Sequence, residues 1–215
     1  MTYRPIPTHL FGNRPSARPE RPHALWRTLC WATPNLAVSG DLPGKGSDAR
    51  SALATWVAAG VTDILDLRIE DSHQDFVATH APEITYHWLG VDDEGDRRSD
   101  EWFAEIARIA SAILSDPTRK LVVHCHMGAN RGPSAAFTAL LVTGSSPTEA
   151  LTAIRTARPI ASMLYSFDAV QWFGRITGLD QASIDALYDE VFAWHEANPL
   201  DLGWVIGNIG NRYAA

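Results

Sequence analysis

The run His124-Cys125-His126-Met127-Gly128-Ala129-Asn130-Arg131-Gly132-Pro133-Ser134 holds a thiol and a guanidinium separated by a five-residue turn. An apolar stretch, LVVHC at 121–125, leads into the turn and reads as a short strand. SAAFTALLV at 134–142 leads out of it and reads as a helix. Backbone N–H groups along such a turn converge on one point, and the helix N-terminus adds positive potential there. A tetrahedral phosphate dianion fits that cradle, whose amides come from His126, Met127, Gly128, Ala129 and Asn130. Gly128 lets the backbone turn tightly and approach the ligand. Arg131 offers phosphate oxygens a two-pronged pair of hydrogen bonds, a geometry that lysine does not match.

The field that binds an anion also activates the thiol. A free cysteine is only a few per cent thiolate at neutral pH. Lowering its pKa to about 5 takes ~5 kcal/mol of preferential stabilisation. Amides, helix end and Arg131 together are expected to supply this. Cys125 could instead be a small packed residue closing a strand, but the joint spacing of His, Cys, Gly and Arg argues against that reading.

Attack by a thiolate on a phosphate ester leaves an oxygen that needs a proton, and a carboxylic acid on a nearby loop is the usual donor. The segment LGVDDEGDRRSDEWF offers Asp92, Asp93, Glu94 and Asp96. His124 and His126 share a strand face and could be read as metal ligands. His73, His80 and His87 supply no convincing further spacing, so neither metal nor cofactor is expected.

The elements that must position these groups alternate in period. NLAVSG (35–40), VTDILDLR (61–68) and EITYHWLGV (83–91) read as strands. Asp48 is placed as the cap of a helix that Gly60 stops. Ser99 or Asp100 starts a long helix carrying Trp102, Ile106, Ile109 and Ile113 on one face. Ser146-Pro147-Thr148-Glu149 is a capping box. Two more helices are predicted near 164–177 and 182–196, and the tail after Pro199 is ambiguous. The expected fold class is α/β, a mostly parallel central sheet flanked by helices with a helical C-terminal half. Ligands in such folds sit at the carboxyl ends of strands, where Cys125 falls. Arg68 and Glu70, also at a strand end, either brace the floor of the site or form a local surface pair.

The net charge of −7 argues against a general nucleic-acid binder. It is uneven: Arg4, Arg14, Arg18, Arg21 and Arg27 face a single acid, Glu20, in the first thirty residues. Pro5, Pro7, Pro15, Pro19 and Pro22 discourage regular structure there. This basic arm is read as a solvated extension packed on an acidic body. The two cysteines, Cys30 and Cys125, make no disulfide framework, and Cys30 is read as structural. With neither a signal-peptide pattern nor a membrane-length apolar run, a reducing cytoplasm is the expected compartment and no membrane association is expected. Trp194 and Trp204 are read as cover for the core.

The loop resembles the HCxxGxxR signature of the protein tyrosine and dual-specificity phosphatases. NLAVSGDLP and GVTDILDLR resemble that superfamily's opening strands, and RTARPIASMLYSFDAVQWF its closing helices with their Arg-Pro and later Gln. The resemblance implies a phosphatase domain over 35–178, preceded by a Pro/Arg-containing extension (1–34) and followed by a C-terminal helical extension packed on it (179–215). It implies a cysteinyl-phosphate intermediate on Cys125, clamped by Arg131, with His124 orienting the loop. In similar chains the acid follows a hydrophobic-x-hydrophobic-x-Asp pattern about thirty residues before the cysteine. That makes Asp93 the first choice, with Asp92 and Asp96 behind it.

One departure is Gly132, where the family carries a serine or threonine hydroxyl that helps the thiolate leave. Ser134 is a partial substitute, and slow breakdown of the intermediate is expected. The loop interior has no lysine, unlike polyphosphoinositide phosphatases, so phosphoprotein substrates are favoured. Alternatives are an RNA, nucleotide or inositol phosphatase of the superfamily, a phosphate-binding pseudophosphatase, and a rhodanese-like sulfur carrier. The sequence leaves the oligomeric state open.

Overall fold

The computed structural model describes residues 2–13, 18–44 and 46–213; Arg14 and Pro15 of the basic arm lie outside the described residues. The N-terminal arm carries a 3-10 turn (Thr8–Phe11) and a short helix α1 (Pro22–Leu25). Then follow β1 (Cys30–Thr33), β2 (Leu36–Ser39), α2 (Ser47–Ala58), β3 (Asp63–Arg68), α3 (Gln74–His80) and β4 (Thr85–Val91). The second half runs α4 (Asp100–Leu114), β5 (Leu121–His124), α5 (Arg131–Val142), α6 (Pro147–Ala157), α7 (Ser166–Ile176), α8 (Gln181–Ala197) and α9 (Leu202–Tyr213).

Among the described residues the strands form one sheet in the order β1-β2-β5-β3-β4. β1 pairs antiparallel with β2, and the other neighbours are parallel. The fold is therefore α/β with a mixed, mostly parallel sheet. Both faces are covered, so strand residues alternate between two cores. Leu121, Val123, Leu65 and Leu67 face one core with Phe103, Ile106, Phe137 and Phe167 of the helices. Val122 and Ile64 face the other, with Leu53, Trp56, Val77 and Ala81. Register sets the site: Ser39 and Asp66 lie on either side of His124, at the carboxyl ends of three parallel strands.

Several of the local signals at helix ends hold. Ser99 caps α4 by accepting from the Trp102 amide, and Ser146 with Glu149 forms the reciprocal box that opens α6. Gly60, at φ +83°, follows α2. Asp48 is a correction. α2 begins at Ser47 without a side-chain cap, and Asp48 lies inside its first turn, where a carboxylate favours the helix dipole instead. The strand β1 lies inside the segment read as an extension, so the sheet begins before residue 35. The ambiguous tail is the helix α9.

The arm's arginines meet acids of the body. Arg4 pairs with Asp189 at 2.7 Å, Arg18 with Asp201 at 3.0 Å and Arg27 with Asp41 at 3.0 Å. Among the described residues, no helix is long and apolar enough to cross a membrane.

Candidate active site

β5 delivers Cys125 into the loop 126–130, and α5 opens at Arg131. The first-turn amides of a helix have no partner within it, and Pro133 is tolerated in that turn because it needs no such bond. The Gly132 amide is thereby left free of the helix's own bonds, and it and the Gly128 amide pull the pKa of the Cys125 thiol down.

The loop is shaped from behind. The His126 carbonyl accepts from Trp26 Nε1 at 2.9 Å and from the Asp41 amide at 3.0 Å. Arg158 donates to the Met127 and Gly128 carbonyls at 3.0 and 2.6 Å. The Ala129 carbonyl takes both the amide and the hydroxyl of Ser162, at 2.6 and 2.9 Å. Across a trans peptide the C=O and N–H point opposite ways. Four consecutive carbonyls drawn outward therefore turn the amides of Met127, Gly128, Ala129 and Asn130 inward, toward one point beside the thiol. Gly128 sits at φ +62°, and a Cβ there would lie 2.4 Å from both Arg158 Nη2 and the Ser39 carbonyl oxygen. Only glycine fits.

Arg158 is fully buried and also donates to the carbonyls of Leu25, Trp26 and Thr28, and to the Cys30 sulfur at 3.4 Å. Cys30 is thus a buried structural thiol, and both cysteines are free.

Arg131 is gripped by Glu70, whose carboxylate oxygens accept from Nη1 and Nη2 at 2.8 and 2.7 Å. Its Nη1 also donates to the Val91 carbonyl at 2.8 Å. Its Nε is buried without a hydrogen-bond partner among the described residues, 3.4 Å from Asp93 Oδ2. The guanidinium holds the Glu70 carboxyl below its ordinary range. Glu70 braces the site; Arg68 does not pair with it. Arg68 instead makes a two-pronged bond to Asp66 at 3.0 and 2.7 Å and reaches His73 Nδ1 at 2.6 Å.

Asp93 accepts from Asn130 Nδ2 at 2.6 Å and from the Tyr165 hydroxyl at 3.0 Å. Its neighbours turn elsewhere: Asp92 takes Arg98 Nη1 at 3.0 Å, and the Asp96 carbonyl takes Arg98 Nε at 2.9 Å. A cleft of about 420 Å³ is lined by Asp93, Cys125, Arg131, Asn130 and Met127, among others, but not by Asp92 or Asp96.

The Asn130 side chain is fixed by the Leu164 amide (2.8 Å) and the hydroxyls of Ser162 and Ser134 (3.2 and 3.4 Å). The Ser134 hydroxyl also accepts from the Tyr165 amide, so its contacts run to the support of Asn130. A Cβ at Gly132 would lie 3.3 Å from the Cys125 amide nitrogen and the His124 backbone, so a serine there fits only with a small shift of that backbone.

His124 is buried beside Asp66, Nε2 to Oδ1 3.7 Å, and burial pushes its pKa down. Burial opposes the Asp66 carboxylate, but His124, Arg68 and Tyr86 outweigh it and hold the group below its usual range. His126 bonds through Nδ1 to Asp41 at 2.8 Å. Burial also pushes the Cys125 thiol up. Arg131 and the amides of Gly132 and Gly128 pull against it, and Asp93 pushes with it. The sequence leads one to expect a lowered thiol pKa; with Asp93 offsetting Arg131, burial outweighs the amides and the guanidinium and the thiol is pushed up instead. The later Gln of the closing helices, Gln171, binds the Arg4 backbone and takes no part in this cleft.

Sequence reasoning missed Asn130 and Tyr165 as the holders of Asp93, and Arg158 as the anchor of the loop. Asn130 carried a signal, an amide side chain inside the cradle; nothing marked Tyr165.

No family model matches the sequence, and no curated protein matches it either. Solved structures do. Human DUSP28 superposes with TM-score 0.54 and 18% identity, covering 69% of this chain and 95% of its own. DUSP15 gives 0.51 and 18%, covering 77% and 95%. PTPMT1 in complex with PI(5)P gives 0.54 and 14%, covering 68% and 95%. The neighbours are covered almost whole, so part of this chain lies outside the shared fold.

Proposed function

We propose, starting from a fold that is that of the dual-specificity and protein tyrosine phosphatases, that this chain is a cysteine-dependent phosphatase of phosphomonoesters. The observation that carries the reading is the set of four outward-held carbonyls, which turns the following amides to the other side of the loop between Cys125 and Arg131. The phosphoryl group sits in that ring, and Arg131 clamps two of its oxygens. The Cys125 thiolate attacks phosphorus, the bond to the ester oxygen breaks, and Asp93 in its acid form protonates the departing oxygen. Water then attacks the cysteinyl-phosphate and gives its proton to the Asp93 carboxylate. The P–S bond breaks, and inorganic phosphate leaves with the thiolate restored.

Phosphoproteins are the favoured substrates, since no lysine lines the cleft among the described residues. Gly132 supplies no hydroxyl to the departing thiolate, so the second step limits turnover. The test is hydrolysis of a small aryl phosphate by the reduced protein beside Cys125→Ser, without metal. Activity blocked by vanadate and lost in the variant supports the reading. Undiminished activity in Cys125→Ser overturns it.

A further inference from the structure

The cleft has a wall that belongs to neither the phosphate loop nor the acid loop. Leu202 and Ile206, one turn apart on α9, line it together with Met127 and Leu164. Ile206 is 44% exposed, while Leu164 is buried. The helix is seated by the flank of the same apolar stripe: Val205 and Ile209 are fully buried against Trp26, Ile160 and Ala129, the last from the phosphate loop itself, and Leu202 packs at the edge of that cluster. Its start is fixed by Asp201, which accepts from the Trp204 amide at 2.9 Å and from Arg18 at 3.0 Å. The apolar side chains thus stand on a docked element of the same cleft as the thiol.

The charges of the cleft point the same way. Arg131, with Glu70 across both terminal nitrogens, faces Asp93 and Glu94, and His126 is bound to Asp41. A second phosphate would meet carboxylates. A leaving group that is flat, apolar and uncharged beyond its one phosphate meets Leu202, Ile206, Leu164 and Met127.

We propose that Leu202 and Ile206 of α9 form the wall that packs on the ring of an aryl phosphate, making phosphotyrosine the preferred substrate class over phosphoserine. The inference rests on the phosphatase reading and goes beyond it by assigning selectivity to a helix outside the catalytic loops. An aromatic ring carries a large apolar payload that a serine methylene lacks, so the wall acts on one substrate and scarcely on the other.

The experiment compares kcat/KM for a phosphotyrosine and a phosphoserine peptide of otherwise identical sequence, with the full chain, Ile206→Ser, Leu202→Ala and the conservative Ile206→Val. The expected result is a preference for phosphotyrosine that falls about tenfold in Ile206→Ser and stays in Ile206→Val. Because Ile206 is half in solvent, that variant keeps the fold. A ratio unchanged in both Ile206→Ser and Leu202→Ala overturns the proposal, as does faster hydrolysis of monophosphoinositide vesicles than of either peptide. If the wild-type chain hydrolyses nothing, the phosphatase reading fails instead. Calorimetric binding of the two peptides then decides: tighter phosphotyrosine binding that Ile206→Ser erases supports the wall, and equal binding overturns it.

Discussion

In the proposed reaction Asp93 is the residue on which the chemistry turns after Cys125 and Arg131, and its position is over-determined. Asn130 and Tyr165 hold one oxygen, and the other lies 3.4 Å from Arg131 Nε. Asp93→Asn keeps those hydrogen bonds available but has no proton to give. The first step, read as kcat/KM, is expected to fall by roughly 10²-fold or more for alkyl and phenol leaving groups, and much less for a strongly acidic nitrophenol. A uniform loss across leaving groups contradicts the assignment. The same variant removes a negative charge that pushes the Cys125 thiol up, so the thiolate fraction rises. Alkylation of Cys125 by iodoacetamide at fixed neutral pH is expected to be faster in Asp93→Asn than in the wild type; a slower rate contradicts it. At this scale much was legible in the sequence. The thiol and the guanidinium stand out by type and spacing, Asp93 was singled out among its neighbours by the resemblance, and the three line one cleft. Glu70 did not choose between its two readings, because its partner lies sixty-one positions away and no local spacing reports it.

The loop, as an element, is shaped by groups that never touch a substrate. Arg158 feeds two of its carbonyls and ties them to three more in the N-terminal arm. Lysine at this position keeps the charge but has neither the reach nor the planar fork. Arg158→Lys is therefore expected to weaken vanadate binding at least tenfold and to lower stability by roughly 1–3 kcal/mol for each carbonyl left unpaired. Unchanged vanadate affinity contradicts the backbone account. The strand–loop–helix around Cys125 was readable from its periodicity, whereas β1 and α9 were not. CWAT is four residues long after a proline-rich arm, and becomes a strand only because β2 offers it an edge. LGWVIGNIGNRY contains Gly203, Gly207 and Gly210, poor helix formers. It is helical because Val205 and Ile209 dock on the underside of the loop, a tertiary cause that no local window contains.

Over the whole molecule, burial sets the response to acid. His73, His124 and His195 are all held below the ordinary histidine pKa, in each case chiefly by burial. A histidine with a depressed folded pKa takes up its proton more readily when unfolded. Its contribution is present above the unfolded value of about 6.5 and is lost as pH falls toward the folded value. Each such group changes stability by up to about 1.4 kcal/mol per pH unit in that window. The melting temperature is expected to drop between pH 7.5 and 5.5, and the slope to be shallower in His195→Phe, whose ring stacks on Phe167 in the core. A melting temperature that rises over that range contradicts the argument. The overall α/β order was legible because both faces of the sheet are covered and the strands read as apolar runs. The mixed edge at β1 and the cover over the cleft were not, since both depend on where distant segments land.

The central claim is that phosphate passes through the sulfur of Cys125. The most direct measurement is to mix the chain with an aryl phosphate, quench in acid within the first turnover and look for phosphate mass on the peptide containing Cys125. The account predicts a transient adduct on Cys125, accumulating because Gly132 supplies no hydroxyl to the departing thiolate, and a burst of phenol equal to the enzyme concentration. Rapid turnover with neither adduct nor burst, or an adduct on any other residue, contradicts it.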